Sequence, residues 1–246
     1  MYIALDFETT GLDPLKSKIL EIGAAKFNDK GEILDTFKIL SDPGVKIPKQ
    51  ATALHGITTQ MIKGSPTPIE AWELFLAWAN DVKIMFAHNA QFEASFIKAL
   101  YLNRQNIPDI YLADTLRASR VRLKGEKSYK LVDLVGEFDG HVHRALPDAT
   151  ACVSLFIKIS KTYKNGKFPI KTYSKPLSEF SLYEEPTSRQ LSYIESLGGD
   201  ISRVKSKNDA SAYIDTLKSG THKRISPPTR IVLLFLLIAL VYWIID

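Results

Sequence analysis

The run Asp6-Phe7-Glu8-Thr9-Thr10-Gly11 closes an apolar strand, Tyr2 to Leu5, with two carboxylates two residues apart. Successive strand side chains alternate between faces, so Asp6 and Glu8 share one face while Phe7 turns to the other, toward a core. Carboxylates held that close repel unless a cation lies between them. The strand therefore ends either in solvent or at a site for a hard, oxygen-loving ion such as Mg²⁺ or Mn²⁺.

Two later segments favour the ion. His88-Asn89-Ala90-Gln91-Phe92-Glu93 follows the apolar stretch Val82 to Ala87 and opens a helical pattern of Phe92, Phe96, Ile97 and Leu100. Asn89 is placed to cap that helix, which puts Glu93 in its first turn, just beyond a strand end. In His143-Arg144-Ala145-Leu146-Pro147-Asp148-Ala149, Pro147 suits the first helical position, with Asp148 next. A helix N-terminus favours the ionised carboxylate that a metal ligand requires.

In this order the three segments resemble the DEDD 3′–5′ exonucleases of the DnaQ-like group, which includes the proofreading subunit of bacterial replicative DNA polymerase. The resemblance covers residues 1–163 and extends to His55-Gly56-Ile57-Thr58, Asp114-Thr115 and Lys130-Leu131-Val132-Asp133-Leu134. A histidine five residues before Asp148 is the mark of the DEDDh subgroup. One departure stands out: the second motif of the family ends in Asp, and this chain has Glu93 there.

The resemblance implies two Mg²⁺ (or Mn²⁺) ions bound by Asp6, Glu8, Glu93 and Asp148. It makes His143 the general base and nucleoside 5′-monophosphates the products, released from nucleic-acid 3′ ends, single-stranded DNA foremost. Neighbouring His141 lacks the family spacing and is assigned to a loop. Phe7, Thr9 and the segment His55, Gly56, Ile57 and Thr58 are expected to line the terminal-nucleotide pocket, with an ordinary core aromatic as the alternative for Phe7. Two other functions stay open. One is trimming of RNA or short oligonucleotides, since contacts to a 2′-OH are not legible in sequence. The other is a catalytically weakened, membrane-tethered nucleic-acid-binding protein.

The wider pattern fits an α/β domain. Lys18 to Phe27 and Ile33 to Leu40 read as strands joined by a hairpin, Pro68 to Ala79 as an amphipathic helix, and later strands near Val82 to Ala87 and Ile110 to Ala113 alternate with helices. A three-strand meander followed by strands joined through helices predicts a mixed sheet covered on both faces, with the first strand central. The resemblance implies the same RNase H-like fold. Residues 164–186, with several prolines and no periodicity, are expected to be a linker, and 187–218 a small helical hairpin.

Residues 219–230 form a basic linker, and 231–245 are fifteen residues without a charge. At about 1.5 Å per residue such a helix reaches about 22 Å, against about 30 Å of bilayer hydrocarbon. Snorkelling of Arg230 and an interfacial Trp243 can absorb part of the difference. The expectation is a C-terminal membrane anchor that holds the nuclease at the cytoplasmic face, with a buried core helix as the alternative. No polymerase partner is legible.

Net charge adds little, at +5 over 246 residues. A local run, Arg117, Arg120, Arg122, Lys124, Lys127 and Lys130, reads equally as a solvated loop or a phosphate-tracking one. The single cysteine, Cys152, excludes an intrachain disulfide and falls on an apolar helix face as a buried side chain. The start of the sequence carries no signal-peptide pattern.

Overall fold

Strand β1 (Tyr2–Thr9) lies inside a six-stranded sheet with β2 (Ile19–Phe27), β3 (Ile33–Leu40), β4 (Ile84–Ala87), β5 (Tyr111–Asp114) and β6 (Ser174–Pro176), in the order β3-β2-β1-β4-β5-β6. The computed structural model describes residues 1–219 except 81, 105, 137–142 and 184. The helices are α1 (Lys49–His55), α2 (Thr59–Ile62), α3 (Pro68–Ala79), α4 (Ala90–Leu100), α5 (Thr115–Arg122), α6 (Leu131–Val135), α7 (Ala145–Ser160), α8 (Ile170–Tyr173), α9 (Ser188–Ser196) and α10 (Lys207–Lys218). The meander β1-β2-β3 is antiparallel, β4 joins β1 in parallel, β5 joins β4 in parallel, and β6 closes the far edge antiparallel. The expected mixed sheet with a central first strand is what the chain forms.

The alternation of β1 decides what each face carries. Ile3, Leu5 and Phe7 face a core that includes Trp72 and Phe75 of α3 and Phe96 and Ile97 of α4. Ala4 points the other way, into the core built on Cys152, Leu155, Phe156 and Ile159 of α7. Asp6 and Glu8 continue that second face. On β2 the partners across from Ala4, Asp6 and Glu8 are Ala25, Gly23 and Glu21. Small residues at Ala4, Gly23 and Ala25 let α7 lie close to the sheet. A Cβ on Gly23 would fall 2.1 Å from the backbone carbon of Ala145 and the nitrogen of Leu146, so no larger residue fits while α7 stays where it is. Farther along, Phe27, Phe86 and Phe156 meet edge to face at 5.0–5.6 Å. Such pairs add about 0.5–1.5 kcal/mol each beyond their burial.

Helix α3 begins where the sequence places it, because Thr67 and Glu70 form a reciprocal capping box with Pro68 at the first turn. Helix α7 begins at Ala145, two residues before the expected start, so Pro147 and Asp148 lie deeper in its first turn.

The two compact units of the chain are Met1–Tyr183 and Glu184–Asp246. Residues 164–186, expected as a linker, instead complete the first unit as far as Tyr183. Here α8 leads into β6, whose residues pair with β5, while Phe168, Tyr173, Leu177 and Phe180 are buried in the two cores. Prolines are tolerated there because an edge strand does not need every N–H. In the second unit, α9 and α10 pack through Ile194, Ala210 and Ile214, with Leu197, Tyr213 and Leu217 around them, as the hairpin pattern predicts. Thr187 caps α9 in a reciprocal box with Gln190, and Ser206 accepts from the Asp209 N–H at the start of α10.

Among the described residues no helix is long and apolar enough to cross a membrane. The basic linker beyond Ser219, the apolar segment 231–245 and His141 lie outside the described residues.

Candidate active site

Three elements converge at the carboxyl end of β1. The strand supplies Asp6 and Glu8, and the first turn of α7 supplies Asp148. One carboxylate oxygen from each lies within 4.8 Å of the others. Glu8 is buried, and the other two are half-buried. Glu93 comes from the first turn of α4 and is only 2 % exposed. Its neighbour Asn89 takes a left-handed backbone, φ 85°, which lets α4 start directly from the end of β4 although the Asn89 side chain makes no cap bond. Glu93 does not belong to the close trio, and its Oε2 has no hydrogen-bond partner among the described residues.

Electrostatics set these groups apart from ordinary surface acids. Burial, and then the charges of Glu93, Asp148, Glu8 and Glu21, hold the Asp6 carboxyl well above its ordinary range. Burial, Asp148 and Glu21 push Glu8 up to about 8 against the pull of Arg144. Burial raises Asp148 to about 6, although nearby His143 draws it down. Glu93 is raised by burial first and then by Asp114 and Glu8. Carboxylates gathered in this way must take up protons or share a cation. The donors are all oxygens, three lie within reach of one another, and the buried Glu93 offers an Oε2 that has no partner among the described residues. That set suits a hard divalent cation.

His143 is exposed and precedes α7 with a left-handed backbone, φ 66°. For a non-glycine residue this conformation costs energy and marks a site held by its surroundings. The other histidines near the site have different work. Both ring nitrogens of His88 are engaged, Nδ1 with Thr115 Oγ1 at 3.1 Å and Nε2 with the Tyr129 carbonyl at 2.8 Å, and burial lowers its pKa. His55 is buried at the end of α1, and its Nδ1 accepts from the Ile57 N–H at 3.0 Å. Burial lowers its pKa also, with Glu21, Arg144 and His143 among its charged neighbours.

The expected nucleotide-pocket residues divide. Phe7 is 4 % exposed and meets Trp72 edge to face at 5.9 Å, so it is the core aromatic that was its alternative reading. Ile57 likewise packs into a core with Leu20, Ile47 and Ile62. Gly56 ends α1 with φ 73°, a conformation suited to glycine. Thr9 is buried, and its hydroxyl donates to the Gly11 carbonyl at 2.7 Å. Of the basic run, Arg122 donates from Nε to Thr162 Oγ1 at 3.1 Å and lies over the Tyr163 ring at 4.1 Å, which ties α5 to the end of α7. Cys152 is buried and its thiol is pushed up to about 12, mainly by burial, so it is inert packing.

Three residues at this end escaped the sequence reading: Glu21, Gly23 and Arg144. Glu21 had a signal, since it is a lone charge in the run Ile19-Leu20-Glu21-Ile22-Gly23, and a buried charge requires a partner. The identity of that partner, 123 positions away, was not legible.

Residues 3–156 match the exonuclease family RNase_T. A DNA polymerase III PolC-type of Caldanaerobacter subterraneus subsp. tengcongensis is 37% identical over 161 residues, which is 64% of this chain and 11% of that one. The corresponding protein of Bacillus subtilis is 31% identical over 165 residues, 65% of this chain and 11% of its own length. This chain thus spans about a tenth of these relatives. Among solved structures, exonuclease X in complex with 5′ overhanging duplex DNA superposes with a TM-score of 0.53 at 27% identity, over 70% of this chain and 97% of that one. The nuclease domain of 3′hExo, a DEDDh family member bound to rAMP, shares the fold with a TM-score of 0.57 at 17% identity, over 65% and 91% of the two chains. A family match of that length, running from β1 into α7 and so across every carboxylate of the site, means that the chain belongs to the exonuclease family, as a DnaQ-like 3′–5′ exonuclease.

Proposed function

We propose that this protein hydrolyses the terminal phosphodiester at DNA 3′ ends and releases nucleoside 5′-monophosphates. Two Mg²⁺ (or Mn²⁺) ions would be held by Asp6, Glu8, Asp148 and Glu93. The observation that carries this reading is the approach of Asp6, Glu8 and Asp148 within 4.8 Å at the end of a central strand. When bound, such ions stabilise charge on the attacking and leaving oxygens of an in-line displacement.

The chain's own residues do the rest. Asp6 and Glu8 hold fixed positions because β1 is paired with β2 at both residues, opposite Gly23 and Glu21, and is anchored to β4 just upstream at Ile3 and Ala4. Asp148 is carried by a helix packed along β1 and β2, so its distance to the strand is set by the core. His143, exposed beside Asp148, takes the proton of the attacking water at an imidazole nitrogen, a task suited to a side chain that can both accept and donate a proton. DNA is favoured as substrate because exonuclease X, whose structure is a complex with DNA, and the PolC-type polymerases are the more similar relatives by sequence. Labelled single-stranded DNA, the matching RNA and a blunt duplex, each incubated with Mg²⁺, test the reading. Stepwise loss from the DNA 3′ end is expected, and faster trimming of RNA would reassign the substrate.

Glu93 offers a sharper check on the metal site. Its carboxylate stands one methylene farther from the backbone than that of Asp and falls outside the close trio. Glu93→Asp is expected to keep or raise activity with a changed Mg²⁺/Mn²⁺ preference, because Mg²⁺ tolerates little departure from octahedral geometry. Glu93→Ala should need much more metal than either acid. If metal titration found Glu93→Ala equal to wild type at limiting Mg²⁺, Glu93 would not be a ligand.

A location at the membrane is supported by the apolar run 231–245 alone, and its cytoplasmic side by the basic residues Lys223, Arg224 and Arg230 before that run. Protein carrying residues 1–246 is expected in the membrane fraction, and protein cut after Ser219 in the soluble one. Identical fractionation of the two would remove the anchor from the proposal.

A further inference from the structure

We infer that Glu21 and Arg144 form a clamp that positions His143 for the reaction, with Glu21 as a positioning residue that touches neither substrate nor metal. The inference rests on the reading of His143 as the base. It begins from a buried charge: Glu21 is 0 % exposed in β2, between Leu20 and Ile22, which are equally buried. Its two oxygens accept from Arg144 Nε at 2.9 Å and Nη2 at 2.6 Å, the parallel fork that fixes a guanidinium in orientation as well as in place. The same carboxylate accepts from the Ala145 N–H at 3.1 Å, and Lys38 Nζ lies 3.7 Å away.

Ala145 is the first residue of α7, and the side chain of Arg144 at the N-cap makes no cap bond. Glu21 therefore does from another strand what a capping side chain does locally, taking an otherwise unpaired N–H and placing a negative charge at the helix start. Burial pushes the Glu21 carboxyl up, but Arg144, the Ala145 N–H and Lys38 outweigh it and hold the group below its ordinary range.

The position of the clamp gives it a consequence. It grips the chain one residue after His143 and four before Asp148. His143 itself holds the costly left-handed backbone, which needs a fixed neighbour to persist. On the strand side, Glu21 lies across from Glu8 in the β1–β2 register, and Gly23 lies across from Asp6. The contact at Gly23 leaves no slack, because the backbone of Ala145 and Leu146 already fills the space of a Cβ. Base and carboxylates are thereby referenced to one pair of strands. A buried ion pair is weak evidence for stability, since desolvation offsets most of its attraction, so placement is the stronger reason for this one.

Steady-state trimming of single-stranded DNA at saturating Mn²⁺ tests the clamp, with wild type, Glu21→Gln, Arg144→Lys, His143→Ala and the double variant Glu21→Gln/His143→Ala. Glu21→Gln and Arg144→Lys should each lose about 10²-fold in kcat, the scale of an ångström-sized misplacement, with KM nearly unchanged. In the His143→Ala background the same Glu21→Gln change should cost less than about threefold, because residues acting as one unit are not additive. Rates within about twofold of wild type in both single clamp variants would overturn the inference. So would a full, multiplicative loss in the double variant, which is what a general structural role gives. If Glu21→Gln does not fold, Arg144→Lys, at a side chain 19% exposed, carries the same comparison alone and with His143→Ala. A wild-type rate for His143→Ala would overturn the base assignment and with it any action through His143, whereas unchanged clamp variants beside a slow His143→Ala overturn the clamp alone.

Discussion

Asp6→Ala and Asp148→Ala are each expected to abolish metal-dependent trimming, with a rate loss of about 10³-fold or more, equivalent to about 4 kcal/mol of lost charge stabilisation. Both side chains are half-buried, and each has other carboxylates close by at the carboxyl end of β1. Neither contributes to the two large cores. Removing one acid from a set that repels itself should leave the metal-free protein as stable as wild type or more so. The combination is diagnostic: melting in EDTA unchanged or raised, activity gone. Purified variants that trim DNA at rates near wild type, with contaminating nuclease excluded, would show that the metal site is elsewhere.

His143→Ala is expected to slow turnover by about 10²–10⁴-fold, the usual contribution of a general base. Binding of DNA should be largely retained, because the side chain is exposed and the substrate's charge is met mainly by the metal site. Its neighbour His141 supplies the control. His141→Ala should cost far less, and equal losses at the two positions would undo the choice between them.

The parts of the molecule that were legible in sequence are those specified locally. Alternation in β1 is enough to put Asp6 and Glu8 together, and Thr67-Pro68 with Glu70 marks the start of α3. Glu93 and Asp148 were placed correctly in first helical turns, although α7 starts at Ala145 rather than Pro147. What sequence did not disclose depends on distant partners. Phe7 carries the same sequence signal whether it lines a pocket or packs on Trp72. The role of Glu21 depends on Arg144, far along the chain. The short strand β6 has no periodicity of its own, because three residues with a proline become a strand only when an unpaired edge of β5 receives them.

That last strand also has a bearing on how the nuclease unit can be divided. The family match ends at residue 156, inside α7, and a domain cut at 163 looks complete on sequence grounds. Such a cut would remove Phe168 and Tyr173 from one core and Leu177 and Phe180 from the other. It would also bare the outer N–H and C=O groups of β5, which β6 now satisfies. A naked strand edge above an opened apolar core is a template for sticking to other chains. The smallest piece expected to keep both cores and the β5–β6 pairing therefore extends to about Tyr183, and a catalytic loss in a shorter one calls for a test of aggregation before it is read as chemistry.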